Sequence, residues 1–260
     1  YIDDILQSIG QDMYDIVFVI RGGTLSPYSL ECMHKKLPNA KFVMYQWDSM
    51  EQSQYKSILK YFDVLKTFDM SDAKKYNLEY LPLFYTKQYK DIALNKKNKE
   101  YDLVFYGAYH SDRLEIIQSL DKLFKDNNLI FKHHLYITKL ALARLLVTRK
   151  IKLSDLDFFK TYSVNMNEII DVYTKSSAVL DVELAIQNGL TIRTFETLGA
   201  NLKLLTTNQN IKEEDFFDPN QIILINRDKI KLDIENFKTR HSVNSFDDFY
   251  IDKWLMNLLS

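Results

Sequence analysis

The sequence predicts an α/β protein with parallel sheets, and three observations predict it. Apolar runs alternate with helical patterns along most of the chain, the order that builds βαβ units. The runs are continuous rather than alternating, as strands covered on both faces must be: Asp15 to Ile20 reads DIVFVI, Lys41 to Gln46 reads KFVMYQ, and Ala178 to Val182 reads AVLDV. The stretch Asp181 to Asn208 completes one whole unit. Asn188-Gly189 is a turn, and Thr191 starts a helix on which Ile192, Phe195, Leu198 and Leu202 share a face. Gly199 stands where that helix stops, and Lys203 to Asn208 is the next strand.

In the first half, Asp15 to Ile20 is a strand, and Ser26-Pro27 opens a helix through Lys36, with serine at the cap and proline in the first turn. Lys41 to Gln46 is a strand, Ser53 to Tyr61 a short helix, Val64 to Phe68 a strand, Ser71 to Tyr76 a helix, and Leu81 to Phe84 a short strand. Residues 86–100, TKQYKDIALNKKNKE, are polar and lysine-rich and read as a linker. The second half begins with the strand Asp102 to Tyr106 and the helix Asp112 to Phe124; a strand follows within Leu129 to Tyr136. Lys139 to Lys150 reads as a helix with Leu140, Ala143 and Val147 on one side, and Asn167 to Lys175 as another helix. After the Asp181–Asn208 unit come the strand Ile222 to Ile225 and a tail helix within Asp247 to Leu259. The predicted organisation is an N-terminal Rossmann-like domain over 1–86, a C-terminal domain over 87–245, and a last helix over 246–260 packing back on the body.

A hydrophobic content of 46% allows a full core and excludes general disorder. A net charge of -1 argues against a surface built for nucleic acid. The single cysteine, Cys32, excludes a disulfide framework, suits a reducing cytoplasm, and reads as a buried small hydrophobe. No apolar run approaches the roughly 18 residues a bilayer span needs, and no signal peptide is visible. The predicted location is cytoplasmic.

Chemistry-bearing residues gather at predicted strand ends. Gly107 to Arg113 follows a strand and opens a helix; such a turn brings backbone N–H groups to a phosphate, Ser111 or Asp112 can cap it, and Arg113 can reach a diphosphate. It is equally the form of an ordinary capped helix with a surface arginine. Arg193 and Glu196, three apart, project together from helix 191–199, and with the helix N-terminus suit a phosphorylated, ribose-bearing ligand. Arg193 has two readings, neutralising a leaving diphosphate or pairing with Glu196 on a solvated face. Thr191 and Thr194 offer hydroxyls, and Gln187, Asn188 and Gly189 form the turn where amides can meet sugar hydroxyls.

In the first half, Arg21-Gly22-Gly23 follows a strand; its glycines allow positive φ and close ligand approach, or make a tight turn. Trp47 and Asp48 follow another strand. Trp47 can stack on a sugar and Asp48 can take a proton from an attacking hydroxyl, or they are a packed indole and a cap. His110 is the second candidate base, as a histidine titrating near neutrality. His133 and His134 read as exposed or structural. The basic stretch 132–152 reads as a solvated face or as a contact with anionic lipid. With no CxxC or HExxH pattern, no metal and no other cofactor is expected.

Four segments carry a family resemblance: Arg21-Gly22-Gly23 with Leu25-Ser26-Pro27, Tyr45 to Ser49 (YQWDS), Tyr106 to Arg113 (YGAYHSDR), and Gln187 to Glu196 (QNGLTIRTFE). In this order and spacing the chain resembles GT-B glycosyltransferases, and more narrowly the bacterial CgeB-like group of capsule and lipopolysaccharide gene clusters. The resemblance implies two Rossmann-like parallel-sheet halves with a cleft between them. It implies a nucleotide-sugar donor on the second half, held by Gly107, Ser111, Arg113, Asn188, Gly189, Thr191, Arg193 and Glu196, with Glu196 on the ribose. The acceptor, a saccharide or lipid-linked oligosaccharide, would meet Arg21, Gly22, Gly23 and Trp47. Many retaining relatives carry an acid eight positions before the ribose glutamate; here that position is Asn188, which leans toward inversion with Asp48 or His110 as base. A full acceptor domain of this family needs more βα units than precede residue 86, so an N-terminal segment is expected to be missing from the chain, which begins at Tyr1. A nucleotide-sugar epimerase of the same fold and a non-catalytic nucleotide-sugar-binding protein are the alternatives.

Overall fold

Two separate parallel sheets organise the chain. The computed structural model describes residues 2–10, 14–95, 97–184, 188–239 and 245–260. The chain divides into two units: Tyr1–Leu83 with Gln187–Leu190 and Ile251–Ser260, and Phe84–Ile186 with Thr191–Tyr250.

The first unit holds α1 (Ile2–Ser8), β1 (Ile16–Ile20), α2 (Pro27–Lys36), β2 (Lys41–Gln46), β3 (Val64–Thr67), α3 (Met70–Tyr76) and β4 (Glu79–Tyr80). Its sheet runs β1-β2-β3-β4, all parallel. β2 is interior and buried from Phe42 through Gln46, which is why its sequence does not alternate. Ser26 caps α2 as expected, accepting the Ser29 N–H at 3.1 Å with Pro27 in the first turn. Leu30, Phe42, Met44, Met50, Tyr55, Ile58 and Phe62 form the core. Cys32 is half-buried on α2 rather than inside. The carboxyl-terminal helix, Ile251–Leu259, groups with this unit: Trp254 stands edge-on to Tyr45 at 4.8 Å and donates its indole N–H to the Pro82 carbonyl at 2.7 Å. Leu81 to Phe84 therefore do not make the expected strand. Proline has no N–H for a ladder and its carbonyl is taken, so pairing ends with the two residues of β4.

The second unit holds α4 (Lys87–Leu94), β5 (Tyr101–Ala108), α5 (Arg113–Asp126), β6 (Phe131–Tyr136), α6 (Lys139–Val147), β7 (Phe159–Lys160), α7 (Met166–Thr174), β8 (Ser176–Asp181), α8 (Ile192–Gly199), β9 (Lys203–Thr206), β10 (Ile222–Leu224) and α9 (Ile234–Lys238). The sheet order is β10-β9-β8-β5-β6-β7, with every pair parallel. The expected linker over 86–100 is corrected: most of it is α4, whose lysines face water while Tyr89 and Ile92 are buried at 4% and 1% exposure.

Helix α8 has no exposed position, so it is a core helix and not one with a solvated face. Phe195, Leu198 and Leu202 lie inside as the spacing predicts. Gly199 is not the left-handed stop: it is the last helical residue, and the positive φ of 51° falls on Asn201. The glycine is required by Tyr85, because a Cβ there would stand 2.4–2.6 Å from three carbons of that ring. Gly199→Ala is therefore expected to lower stability by about 1–3 kcal/mol through overpacking. Urea denaturation of the variant measures it, and an unchanged midpoint would remove the contact from the account.

Helix α6 is corrected as well. Ala141, Leu142, Leu145 and Leu146 pack on the core, while Leu140 and Val147 are 83% and 84% exposed. The segment is apolar on both sides, so periodicity could not choose the inner face.

Candidate functional site

In the second sheet the chain leaves β5 toward β6 and β7, then returns to the other side of β5 through β8, β9 and β10. Such a reversal opens a crevice at the carboxyl ends of the two central strands. The residues at those ends are Gly107 to Asp112 after β5 and Asp181 to Glu183 after β8.

Three arginines converge there. Arg113, the first residue of α5, is buried; its Nε donates to the Val182 carbonyl at 2.9 Å, its Nη2 donates to the same oxygen, and its Nη1 donates to the Ala108 carbonyl at 2.7 Å. It straps the ends of β5 and β8 together. Gly107 makes room for the strap: a Cβ there would lie 2.8 Å from the Phe105 ring and 3.1 Å from Arg113 Nη1. Burial, then the nearby Arg193, push the Arg113 pKa down to about 10, with Asp181 and Glu183 opposing, so it stays charged at neutral pH.

Arg227, in the segment after β10, donates to Asp112 Oδ1 at 2.6 Å and to the Glu183 carbonyl at 2.6 Å, and pairs with Glu183 Oε1 at 2.7 Å. The Thr207 hydroxyl donates to the other Glu183 oxygen at 2.6 Å. Burial works against the Arg227 charge, but Glu183 and Asp112 outweigh it and hold its pKa above the ordinary value.

Arg193 reaches back from the first turn of α8. Its Nη2 donates to the Tyr106 carbonyl, and its Nη1 lies 3.7 Å from Asp181 Oδ1. Asp181 is fully buried at the end of β8 and accepts the hydroxyls of Thr191 at 2.6 Å and Thr194 at 3.2 Å. Its Oδ1 and Arg193 Nε are both buried without a hydrogen-bond partner. Arg193 is thus not paired with Glu196 on a solvated face. Burial lowers its pKa, but Tyr173, Asp181 and Glu196 together outweigh burial and raise it. Glu196 is raised above the ordinary carboxylate value by burial, with Arg193 and a hydrogen bond from the Tyr89 side chain opposing.

Neither helix start at this edge is capped by a side chain. Asp112 occupies the N-cap of α5 without a cap bond, so the expected capping by Ser111 or Asp112 does not form; Ser111 takes a φ of 47°, and the Asp112 carboxylate is turned to Arg227. Thr191 occupies the N-cap of α8, but its hydroxyl is spent on Asp181. His110 stands among these charges. Burial, Arg113 and Arg227 push its pKa down to about 4, so it does not titrate near neutrality as expected; it is already neutral there.

Asn188 is exposed, and Gly189 belongs to the first unit, where a Cβ on it would meet the Phe68 ring at 2.4 Å. Gln187 lies outside the described residues.

In the first unit, the positive φ of the Arg21-Gly22-Gly23 turn belongs to Arg21, at 61°, and not to either glycine. The glycines sit close against neighbouring side chains: a Cβ on Gly22 would meet Met44 Sδ at 2.7 Å, and one on Gly23 would meet Ser53 Oγ at 2.0 Å. Arg21 is ion-paired with Asp48, and Trp47 stands half-buried, edge-on to Tyr45 at 6.4 Å. His133 and His134 are structural. His134 is buried, stacked on Tyr106 and bonded through Nε2 to the Tyr162 carbonyl at 2.9 Å, while His133 stacks on Phe158.

The sequence reading missed Asp181, Glu183, Arg227 and Tyr89. An aspartate closing an apolar strand run was a usable signal for Asp181, since a buried carboxylate needs partners. Nothing around Arg227 marked it. Among the described residues no group of three or more His, Cys, Asp or Glu side chains is placed to hold a metal ion, and no helix is long and apolar enough to cross a membrane.

The sequence matches no family model and no curated protein. Solved structures do match. An alpha-glucosyltransferase in complex with UDP and a 13-mer DNA superposes with a TM-score of 0.60 at 12% identity, over 91% of this chain and 73% of that one. The lipopolysaccharide outer core galactosyltransferase WaaB, in apo form, gives 0.56 at 11% identity, over 99% and 77%. The fold is GT-B. The UDP-GlcNAc 2-epimerase of Methanocaldococcus jannaschii, in complex with UDP-GlcNAc and UDP, shares the fold more distantly, with a TM-score of 0.51 at 11% identity over 99% and 79%. At these identities the GT-B fold is what is shared, with either chemistry built on it.

Proposed function

We propose that this GT-B protein is a glycosyltransferase that binds a nucleotide sugar on its second unit and an acceptor on its first. One observation carries the reading: Arg113, Arg193 and Arg227 converge at the carboxyl ends of β5 and β8, beside two helix starts that no side chain caps. A diphosphate is the ligand class that such an edge suits. Arg193 and Arg227 would stabilise the departing nucleoside diphosphate, while Arg113 holds the strand ends that frame it. Glu196 would accept the ribose hydroxyls, and Gly107, Ser111 and Thr191 would give backbone or hydroxyl contacts. Arg21, Gly22, Gly23 and Trp47 would meet the acceptor, with Asp48 as the base, released from Arg21. A neutral His110 fits a hydrogen bond to phosphate better than a base with its pKa near 4.

The finer reading is metal-independent hexosyl transfer to a saccharide or lipid-linked oligosaccharide in bacterial surface polysaccharide assembly, in the manner of the CgeB-like group. The protein would work at the cytoplasmic side of the membrane, held peripherally by the basic 132–152 stretch. The shared fold with UDP-GlcNAc 2-epimerase supports a second reading, an epimerase. A thermal-shift screen of UDP-, GDP-, CMP- and dTDP-sugars tests the donor site, with a stabilising hit expected. NMR of the hit without acceptor separates the readings, because an epimerase changes the sugar alone. No hit across the panel would sink both.

A pH dependence follows. The arginines help hold His110 down, and a bound diphosphate neutralises them, so the His110 pKa rises from about 4 on binding. A group whose pKa is higher in the complex takes up a proton there. Affinity for nucleoside diphosphate is therefore expected to increase as pH falls from neutral toward 4, and His110→Gln to flatten that slope in calorimetric titrations.

A further inference from the structure

Helix α6 turns an apolar stripe to solvent. Leu140 and Val147, seven apart and on one face, are 83% and 84% exposed, and Leu153 beyond the helix is 77% exposed. Scattered exposed leucines need no explanation; a stripe of them does. The charge around it is one-sided. Residues 138–154 read TKLALARLLVTRKIKLS, with Lys139, Arg144, Arg149, Lys150 and Lys152 and no acidic residue, in a chain whose net charge is -1. All five cationic side chains are exposed. The nearest acid in sequence, Asp155, is occupied, accepting the Gln118 amide at 2.9 Å and the Lys152 N–H at 2.7 Å. An open pocket of about 330 Å³ adjoins the helix, lined by Tyr109, Ile137, Ala141 and Leu145 with Arg144 and Lys150.

We propose that the exposed face of α6 and the segment through Leu153 docks on an anionic lipid bilayer. Leu140, Val147 and Leu153 enter the acyl boundary, and the five cations meet the headgroups. The pattern fits a bilayer better than a second copy of the chain, because a self-contact would bring two sets of five cations together. The proposal deepens the peripheral attachment in the proposed function and narrows it. Lys132 lies over the Tyr101 ring and donates to its hydroxyl, and His133 and His134 are stacked inside, so the working surface is 139–153 and not the whole of 132–152.

Vesicle flotation tests this. The protein is expected to float with phosphatidylcholine vesicles containing phosphatidylglycerol and to stay behind with pure phosphatidylcholine. Arg149→Gln with Lys150→Gln should weaken partitioning by about fivefold per cation removed. Leu140→Ser with Val147→Ser should weaken it by roughly tenfold or more. Both pairs are exposed, so folding and any nucleotide-sugar thermal shift should be unchanged. No flotation of the parent, equal flotation with neutral vesicles, or variants that float like the parent would overturn the proposal. So would a concentration-dependent dimer, seen by sedimentation, that Leu140→Ser with Val147→Ser abolishes. Flotation with no donor shift would leave this surface standing and remove the glycosyltransferase reading; a donor shift without flotation would do the reverse.

Discussion

Arg193→Ala is expected to melt well below the parent protein and to show no nucleotide-sugar shift from its own lower baseline. Two effects add. Asp181 has no exposed surface, and its Oδ1 has no partner nearer than the Arg193 guanidinium at 3.7 Å. Removing that cation takes from a buried carboxylate its nearest counter-charge, a change that costs about 3 kcal/mol. In a unit of this size that is a drop of roughly 10 °C in melting temperature. The second effect follows from the proposed donor site: a bound diphosphate would lose an arginine held at the strand edge by the Tyr106 carbonyl. Arg193→Lys separates the two, keeping the charge beside Asp181 but not the planar fork, so it should recover most stability and little binding. A Lys variant that binds like the parent would leave Arg193 a structural role only.

Glu196→Gln is expected to move stability and binding in opposite directions. Burial raises the Glu196 pKa, and Arg193 and the Tyr89 hydrogen bond only partly offset it. A carboxylate with a raised folded-state pKa holds its proton more tightly when folded. Its ionisation therefore costs stability as pH rises from the ordinary value through the raised one, and the cost persists at neutral pH. The neutral amide removes it, so the variant should melt above the parent at neutral pH, and the difference should shrink in acid. Binding should fall, since a charged hydrogen bond to ribose contributes about 1.5–3 kcal/mol, roughly ten- to a hundredfold in affinity. A cost of this kind, carried where the ligand is to sit, is characteristic of functional groups. If Glu196→Gln left binding intact, the ribose assignment would be wrong.

Much of the fold was legible because buried parallel strands write continuous apolar runs. DIVFVI, KFVMYQ and the Ser26-Pro27 cap fall where the sequence predicts. The misreadings share a cause, which is that tertiary contacts decide what local pattern leaves open. The lysines of 86–100 hide the buried Tyr89 and Ile92 of α4. Leu140 and Val147 are apolar on a helix whose other side is apolar too. Gly199, Gly22 and Gly23 signal close approach rather than positive φ, and only the positions of Tyr85, Met44 and Ser53 reveal it.

The candidate site was half legible. The βα turns at Gly107 and Thr191 announce themselves, because strand, turn and helix start are local features. Asp181, Glu183 and Arg227 come together only because β8 and the segment after β10 return to β5, and no sequence spacing encodes that. Depression of the His110 pKa is only partly local: burial lowers it most, then the neighbouring Arg113, and Arg227 adds to it from far along the chain.

Arg227 offers the most direct test of the central claim, that a diphosphate sits at the carboxyl ends of β5 and β8. The measurement is a calorimetric titration of the nucleoside diphosphate identified by the sugar screen, and of the corresponding uncharged nucleoside, into the parent and Arg227→Gln. Diphosphate affinity is expected to be at least about tenfold weaker in the variant, as for loss of one charge-assisted contact, with nucleoside affinity unchanged. Equal diphosphate affinity in both proteins would contradict it and move the ligand away from the three arginines.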